Sequence, residues 1–209
     1  MGGLDPPIQR RKFRTKGMDQ RVKPADGDNG RLETKMVTIR NEISTDFAAR
    51  EVLLTRAFGA RRFRKTSERL RTGRLPAQGL AFSAVDARGK LIGTVRLWDI
   101  IAGSAGPGLL LGPLAVDCKA QRQGVGAALM NHALGEAKRM GHASVLLVGD
   151  APYYARFGFS VEYTRSLHLP GPVERERFMG LELAPEALDG AEGLIAPSGR
   201  MVPQQKQAA

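Results

Sequence analysis

The chain has 209 residues, with 32 Lys and Arg against 21 Asp and Glu, a net charge of +11. This length suits one domain with an ordinary core, and no apolar run is long enough to span a membrane. One cysteine, Cys118, excludes an internal disulfide and points to a reducing, cytoplasmic setting. The basic excess favours anionic partners: nucleic acid, an acidic membrane surface or a phosphorylated co-substrate.

Residues 1–35 carry prolines, glycines and charges without hydrophobic period, and read as a disordered basic arm. They lack the apolar stretch of a secretory signal. Met36 could be the true start, or the arm a genuine basic tail; the sequence leaves both open. Val37 to Asn41 is expected as the first strand. Ser44, Thr45 and Asp46 offer side-chain oxygens for an N-cap, and Phe47, Leu54 and Phe58 follow at helical spacing, with Arg50 and Glu51 opposite. Gly59 stops this helix, and a shorter one is expected over Thr66 to Thr72. Arg56, Arg61, Arg62, Arg64, Lys65, Arg69, Arg71 and Arg74 crowd this one segment, with Glu68 as its only acid. That cluster is either a solvated basic surface or a positive funnel for a phosphorylated ligand. It holds little aromatic surface on which bases could stack, so nucleic acid is a disfavoured partner.

Leu80 to Asp86, a turn at Ala87–Lys90 and Leu91 to Ile101 read as a hairpin. In its second strand Ile92, Thr94, Arg96, Trp98 and Ile100 share one face, and Leu91, Gly93, Val95 and Leu97 the other. After a flexible connection, Leu109 to Val116 is short enough for one buried strand, broken by Gly112-Pro113 because proline cannot donate to a ladder. A polar turn follows, and Gln121-Arg122-Gln123-Gly124-Val125-Gly126 opens an amphipathic helix ending at Gly141. The first N–H groups of a helix lack internal partners and carry partial positive charge. Glycines there let a bulky anion approach, so the stretch reads as a phosphate-binding turn. It is neither a dinucleotide fingerprint, since Leu129 stands where a third glycine belongs, nor a P-loop.

Ser144 to Val148 is a buried strand, followed by Gly149-Asp150 and a short helix carrying Tyr154-Ala155-Arg156-Phe157-Gly158-Phe159. Phe159 to Leu169 and Phe178 to Leu183 should complete a sheet, and residues 189–209 read as a loose tail in which Leu194-Ile195 could dock.

The turn motif [Q/R]-x-x-G-x-[G/A], as Gln121 to Gly126, followed one helix and one strand later by Tyr-x-x-x-Gly-Phe, resembles the GNAT N-acetyltransferases. The resemblance covers roughly Val37 to Ala187, and the YYARFGF ending is similar to a bacterial subgroup whose substrates are mostly unassigned. It implies an α/β (α+β) fold: one mixed, mostly antiparallel sheet with splayed central strands, flanked by about four helices, over residues 36–188. It implies acetyl-CoA as co-substrate, no metal, and direct transfer to a primary amine in a ternary complex.

By the same resemblance, Leu114, Ala115 and Val116 offer main-chain groups to pantetheine. The N–H groups of Gln123, Gly124, Val125, Gly126 and Ala127 face the pyrophosphate, beside Arg122, with Gln121 bracing the loop. Tyr154 is the family's usual general acid; the alternative is that Tyr154 packs in the core and Tyr153 is the exposed ring. Glu51, Glu68, Asp99 and Asp150 are open choices for a base. Gly149-Asp150 departs from the asparagine common after this strand. The expected acceptor is a small-molecule amine, with a protein amino group second; a homodimer is compatible, a membrane partner is not expected. The rival reading is a module that binds acetyl-CoA without turning it over.

Overall fold

The computed structural model describes residues 37–203; the expected basic arm at 1–35 lies outside them. Eight strands and four α-helices follow in the order β1 (Thr38–Asn41), α1 (Asp46–Phe58), α2 (Thr66–Arg69), β2 (Ala81–Val85), β3 (Leu91–Ala102), β4 (Pro107–Val116), α3 (Val125–Arg139), β5 (Ser144–Val148), α4 (Ala151–Ala155), β6 (Ser166–His168), β7 (Phe178–Glu182) and β8 (Glu192–Pro197). The sheet runs β1-β2-β3-β4-β5-β7. Along this path the ladders are antiparallel except β4 with β5, and off it β8 pairs antiparallel with β3 and parallel with β6. This is the mixed, splayed sheet with flanking helices that the sequence implied.

Side-chain alternation divides the core. Leu109, Leu111, Val145 and Leu147 face α3 with Val125, Leu129, Met130 and Ala133, while Leu110 and Leu146 face the other way with Trp98, Ile100, Phe178 and Ile195. A strand's period of two requires such a division wherever both faces are covered. The expected alternation in β3 holds for Val95, Leu97, Trp98 and Ile100. It fails at the strand's start, where Ile92 joins the α3 side and Leu91 packs with Leu53 and Leu54. The cause is a register shift opposite Ala84/Val85, since one extra residue in a ladder turns its neighbours over. Helix α3 sits close on the sheet: a Cβ at Gly93 would lie 2.9 Å from Leu129 Cδ1.

Three further expectations change. Helix α1 does not bury its phenylalanines: Phe47 is 60% exposed and Arg50 only 3%. Arg50 pairs with Glu42 and Glu51, and Glu42 also holds Arg96, so Arg50 shares the inner stripe with Leu53 and the expected Leu54, its charge partnered. The helix start is fixed by Asp46, not by a capping Ser44 or Thr45. Its carboxylate accepts from Ile43 N at 3.0 Å and Ser83 Oγ at 2.9 Å and pairs with Arg40 at 2.6 Å.

Phe159 to Leu169 is not a sheet strand. Ser160 makes one bridge to Gly180, a 3-10 turn follows at Glu162–Thr164, and only Ser166–His168 is extended. Its partner is β8, which lies within the stretch expected to be a loose tail. β8 pairs with Ile100, Ile101 and Ala102 of β3 and buries Ile195 to 1% exposure, so apolar burial and a free strand edge draw this segment in.

Candidate functional site

The site is built where two neighbouring strands stop pairing. β4 and β5 are in register only at Leu109–Val145 and Leu110–Leu146. Past that point Gly112 and Pro113 disturb β4. Val95 pairs with Leu114 and Leu97 with Leu111, so two residues stand opposite Arg96 alone. The bulge is held by Trp98, whose indole Nε1 donates to Gly112 O at 2.6 Å. Bulges bend a strand away from its partner, which is how Gly112-Pro113 opens the sheet.

The gap is a cleft of about 580 Å³. Leu111 to Leu114 and Val116 form one wall, and Val148, Gly149, Asp150, Tyr153 and Tyr154 the other. Gln121 and Gly126 line one end, and Arg62, Lys65, Glu68, Arg71 and Arg177 also line the cleft. A second recess of about 340 Å³ shares Val116, Gln121, Gly126 and Tyr153 with it and adds Arg122, Gly124, Val125, Ala127 and Arg156.

The turn before α3 has the geometry an anion needs. Arg122 and Gly124 both take positive φ, 62° and 80°, which folds the chain back on itself. The ladder of α3 begins with Ala128 N donating to Gly124 O at 2.9 Å, which leaves the N–H groups of Val125, Gly126 and Ala127 as the unpaired first turn. No acidic side chain lies in that turn to compete. A Cβ at Gly126 would lie 2.8 Å from the Tyr153 hydroxyl, so the missing side chain keeps the passage clear. These features fit a diphosphate. The loop is braced by Gln123, whose Nε2 donates to Lys119 O at 2.8 Å, and not by Gln121, which faces the cleft. Ala115 turns its side chain into the core beside Leu53, Leu54 and Leu91, leaving only its main chain for a ligand.

Tyr154 stands on the opposite wall. Asp150 caps α4, accepting from Tyr153 N at 3.3 Å, and so spends its carboxylate on the helix start. The Tyr154 ring packs edge-on against Tyr153 at 4.9 Å and near Phe159 at 6.0 Å. Burial, followed by the neighbouring Tyr153 and Asp150, pushes its phenol up to about 12. The departure at Gly149 has a steric reason: the Tyr154 ring lies over it, where any side chain would collide.

Of the four carboxylates left open as a base, Glu51 pairs with Arg50 and Arg62, and Asp99 does not line the cleft. Glu68 and Asp150 do. Cys118 is exposed in the turn, and His132 packs edge-on against Phe82 at 4.7 Å. Among the described residues no group of three or more His, Cys, Asp or Glu could hold a metal ion, and no helix is long and apolar enough to cross a membrane.

Sequence reasoning missed Tyr153 and Arg177. Tyr153 carries no role in the sequence pattern, yet it borders both recesses. Arg177 precedes β7, and only the pairing of Val148 with Phe178 brings it beside Gly149. No local pattern announces that neighbour.

A family model for the acetyltransferase (GNAT) domain matches residues 78–161. The uncharacterised N-acetyltransferase YhbS of Escherichia coli K12 is 32% identical over 158 residues, which is 75% of this chain and 93% of YhbS. The crystal structure of YhbS in complex with CoA has a TM-score of 0.67 to this fold, at 29% identity over 86% of this chain and 94% of that one. A GNAT-family acetyltransferase from Brucella melitensis in complex with acetyl-CoA has a TM-score of 0.57, at 26% identity over 78% of this chain and 97% of that one. The parted strands, the anion-ready turn and these relatives agree: the chain belongs to the GNAT family of N-acetyltransferases.

Proposed function

We propose that this protein transfers the acetyl group of acetyl-CoA directly to the primary amine of a small molecule, in the cytoplasm. The observation that carries this reading is a pair of adjoining recesses, one at the first turn of α3 with Val125, Gly126 and Ala127 and one beside Tyr154, which share Val116, Gln121, Gly126 and Tyr153. Acetyl-CoA supplies an activated acyl group and a sulfur leaving group. The turn at Gln121–Ala127 holds the diphosphate, and Leu114, Ala115 and Val116 lend main-chain groups along the edge that β5 leaves unpaired. A concave cleft of this size suits a small acceptor, and the exposed thiol of Cys118 suits a reducing compartment.

Orientation contributes most: an amine seated between β4 and Tyr154 attacks as if in one molecule with its target. Tyr154 keeps its proton throughout the neutral range. With its phenol near 12 and an ordinary thiol near 8.5, handing that proton to a free thiolate would be uphill by roughly 5 kcal/mol. Tyr154 therefore acts as a hydrogen-bond donor to the departing sulfur, and completes the transfer only as the acylated nitrogen loses its own proton. The C–N bond forms as the C–S bond breaks, and the nitrogen's proton passes to the Tyr154 oxygen as the Tyr154 proton passes to sulfur, so the phenol is restored and the products are an amide and a thiol.

The test is thiol release from acetyl-CoA across amines, polyamines, amino acids and aminoglycosides, with Tyr154→Phe in parallel. Release that requires an amine and falls in the variant supports the reading. Binding of CoA with no release across the whole panel would replace it with a sensor that binds without turnover.

A further inference from the structure

The cationic end of the cleft is not explained by the diphosphate. From Gly112 to Val116 the strand lies opposite Arg96 to Gly93, three ladder steps or ~10 Å, and the anion-ready turn lies beyond Val116. Arg71 stands at the Gly112 end. It is 8% exposed, its Nε donates to Ser67 O at 3.1 Å and its Nη2 to Ser67 Oγ at 2.9 Å. Its Nη1 lies 4.0 Å from where a Cβ on Gly112 would stand, and the Arg71 hydrogen bonds to the described residues run from Nε and Nη2, not from Nη1. Lys65 and Arg177 border the same end. Arg177 Nε donates to Gly149 O at 3.3 Å, beside the Tyr154 ring.

These charges are poorly neutralised. Among the described residues Lys65 has no carboxylate within 4 Å, and the groups that act on it most after burial are Arg177 and Arg71, both repulsive. Glu68 is 3.4 Å from Arg71, and the Arg177–Glu174 pair is long and exposed at 3.7 Å. Asp150, the other acid lining the cleft, caps α4. A protein holds like charges together at a cleft when a ligand of opposite charge completes them.

We propose that the acceptor amine carries an oxyanion, carboxylate or phosphate, which Arg71, Lys65 and Arg177 bind at the Gly112 end of the cleft. The inference rests on the amine-transfer reading above and names its substrate class. The oxyanion takes the Nη1 of Arg71, and its charge relieves the repulsion among the three cations. The same contacts seat the amine between β4 and Tyr154, so the acid group sets orientation as well as affinity.

The experiment uses matched pairs: β-alanine against β-alaninamide, γ-aminobutyrate against 4-aminobutanamide, and 3-aminopropylphosphonate against 3-aminopropanol. Turnover by thiol release is measured for each, along with calorimetric binding of each to the CoA-saturated protein. The acid members should win by about tenfold or more in kcat/KM and bind more tightly. Lys65→Gln and Arg177→Gln, both on exposed side chains, should each cut that ratio by about tenfold. Arg61→Gln, in the same basic segment but outside the cleft, should leave it unchanged. Preference for the phosphonate over the carboxylates identifies a phosphate; the reverse identifies a carboxylate.

Equal or better use of the neutral members, or a ratio untouched by both cleft variants, overturns this inference while amine acetylation stands. Should no amine release thiol, the calorimetry still decides: acid members that bind no better than their neutral mates overturn it.

Discussion

Tyr154 and Gly149 compete for one volume: a Cβ built on Gly149 would lie 2.1 Å from Tyr154 Cε2. The position of the ring in the cleft therefore depends on the absence of a side chain at the end of β5. Gly149→Ala should push the ring out of place and lower kcat by about a hundredfold. The KM for acetyl-CoA should change little, since the diphosphate turn lies elsewhere. Steady-state thiol release checks this.

The raised phenol of Tyr154 makes a prediction about pH. The folded state favours the protonated ring, so the donor is present at all pH values below about 12 and is lost only above it. Tyr154→Phe should lower kcat by about 10²–10⁴-fold. The shape of the pH–rate profile between pH 6 and 9 should be the same in both proteins, because any limb there belongs to another group, such as the acceptor amine. A basic limb below pH 9 that vanishes in the variant would contradict the assignment.

Gly126 tests the cofactor end. Gly126→Val would place a branched side chain against the Tyr153 hydroxyl, where a Cβ alone comes within 2.8 Å. Affinity for CoA, measured by calorimetry, should fall by about tenfold or more, since even 1.4 kcal/mol of lost contact gives that factor. Thermal stability should move less, because the position is open to the cleft.

Much of this arrangement was legible in the chain because it is local. The Gly112-Pro113 break, the glycine turn before α3 and the Tyr154 helix are each set by residues close in sequence. What escaped reading was set by distant partners. Phe47 has helical spacing with Leu54 and Phe58, yet it is Arg50 that shares the inner stripe of α1 with Leu53 and Leu54, and its partner Glu42 also holds Arg96. β8 carries Gly193 and Pro197, poor strand formers, and is extended because β3 outruns β2 and leaves Ile100 to Ala102 unpaired on that edge. At the site, Arg71 and Arg177 converge from segments more than a hundred residues apart. A basic cluster in the sequence cannot say which members turn inward: Arg62, Lys65 and Arg71 do, while Arg61, Arg64 and Arg69 do not line the cleft.

Asp46 supplies a stability prediction. Its carboxyl is lowered to about 2, chiefly by the bond from Arg40, with Ile43 N and Ser83 helping. A depressed folded value means that the stabilisation is complete above the ordinary carboxylate range, near pH 4, and is lost as pH falls towards 2. Asp46→Asn should cost about 1–3 kcal/mol at neutral pH. The deficit relative to the parent should shrink in acid. Urea melts at pH 7 and pH 3 measure both.

Ile195 tests the C-terminal strand. It is 1% exposed and packs with Trp98, Ile100 and Leu167. Ile195→Ala should cost about 2–5 kcal/mol in a denaturant melt. Leu194→Ala, its 59% exposed neighbour, should stay within about 0.5 kcal/mol of the parent.

The bond from Trp98 to the Gly112 carbonyl has a practical consequence. This is the only tryptophan in the chain, it is 7% exposed, and its indole is tied to the kink that opens the groove. Any occupant that tugs on that kink alters the surroundings of a single chromophore. Native fluorescence thus offers a label-free optical titration of whatever enters, with no second emitter of its kind to blur the signal.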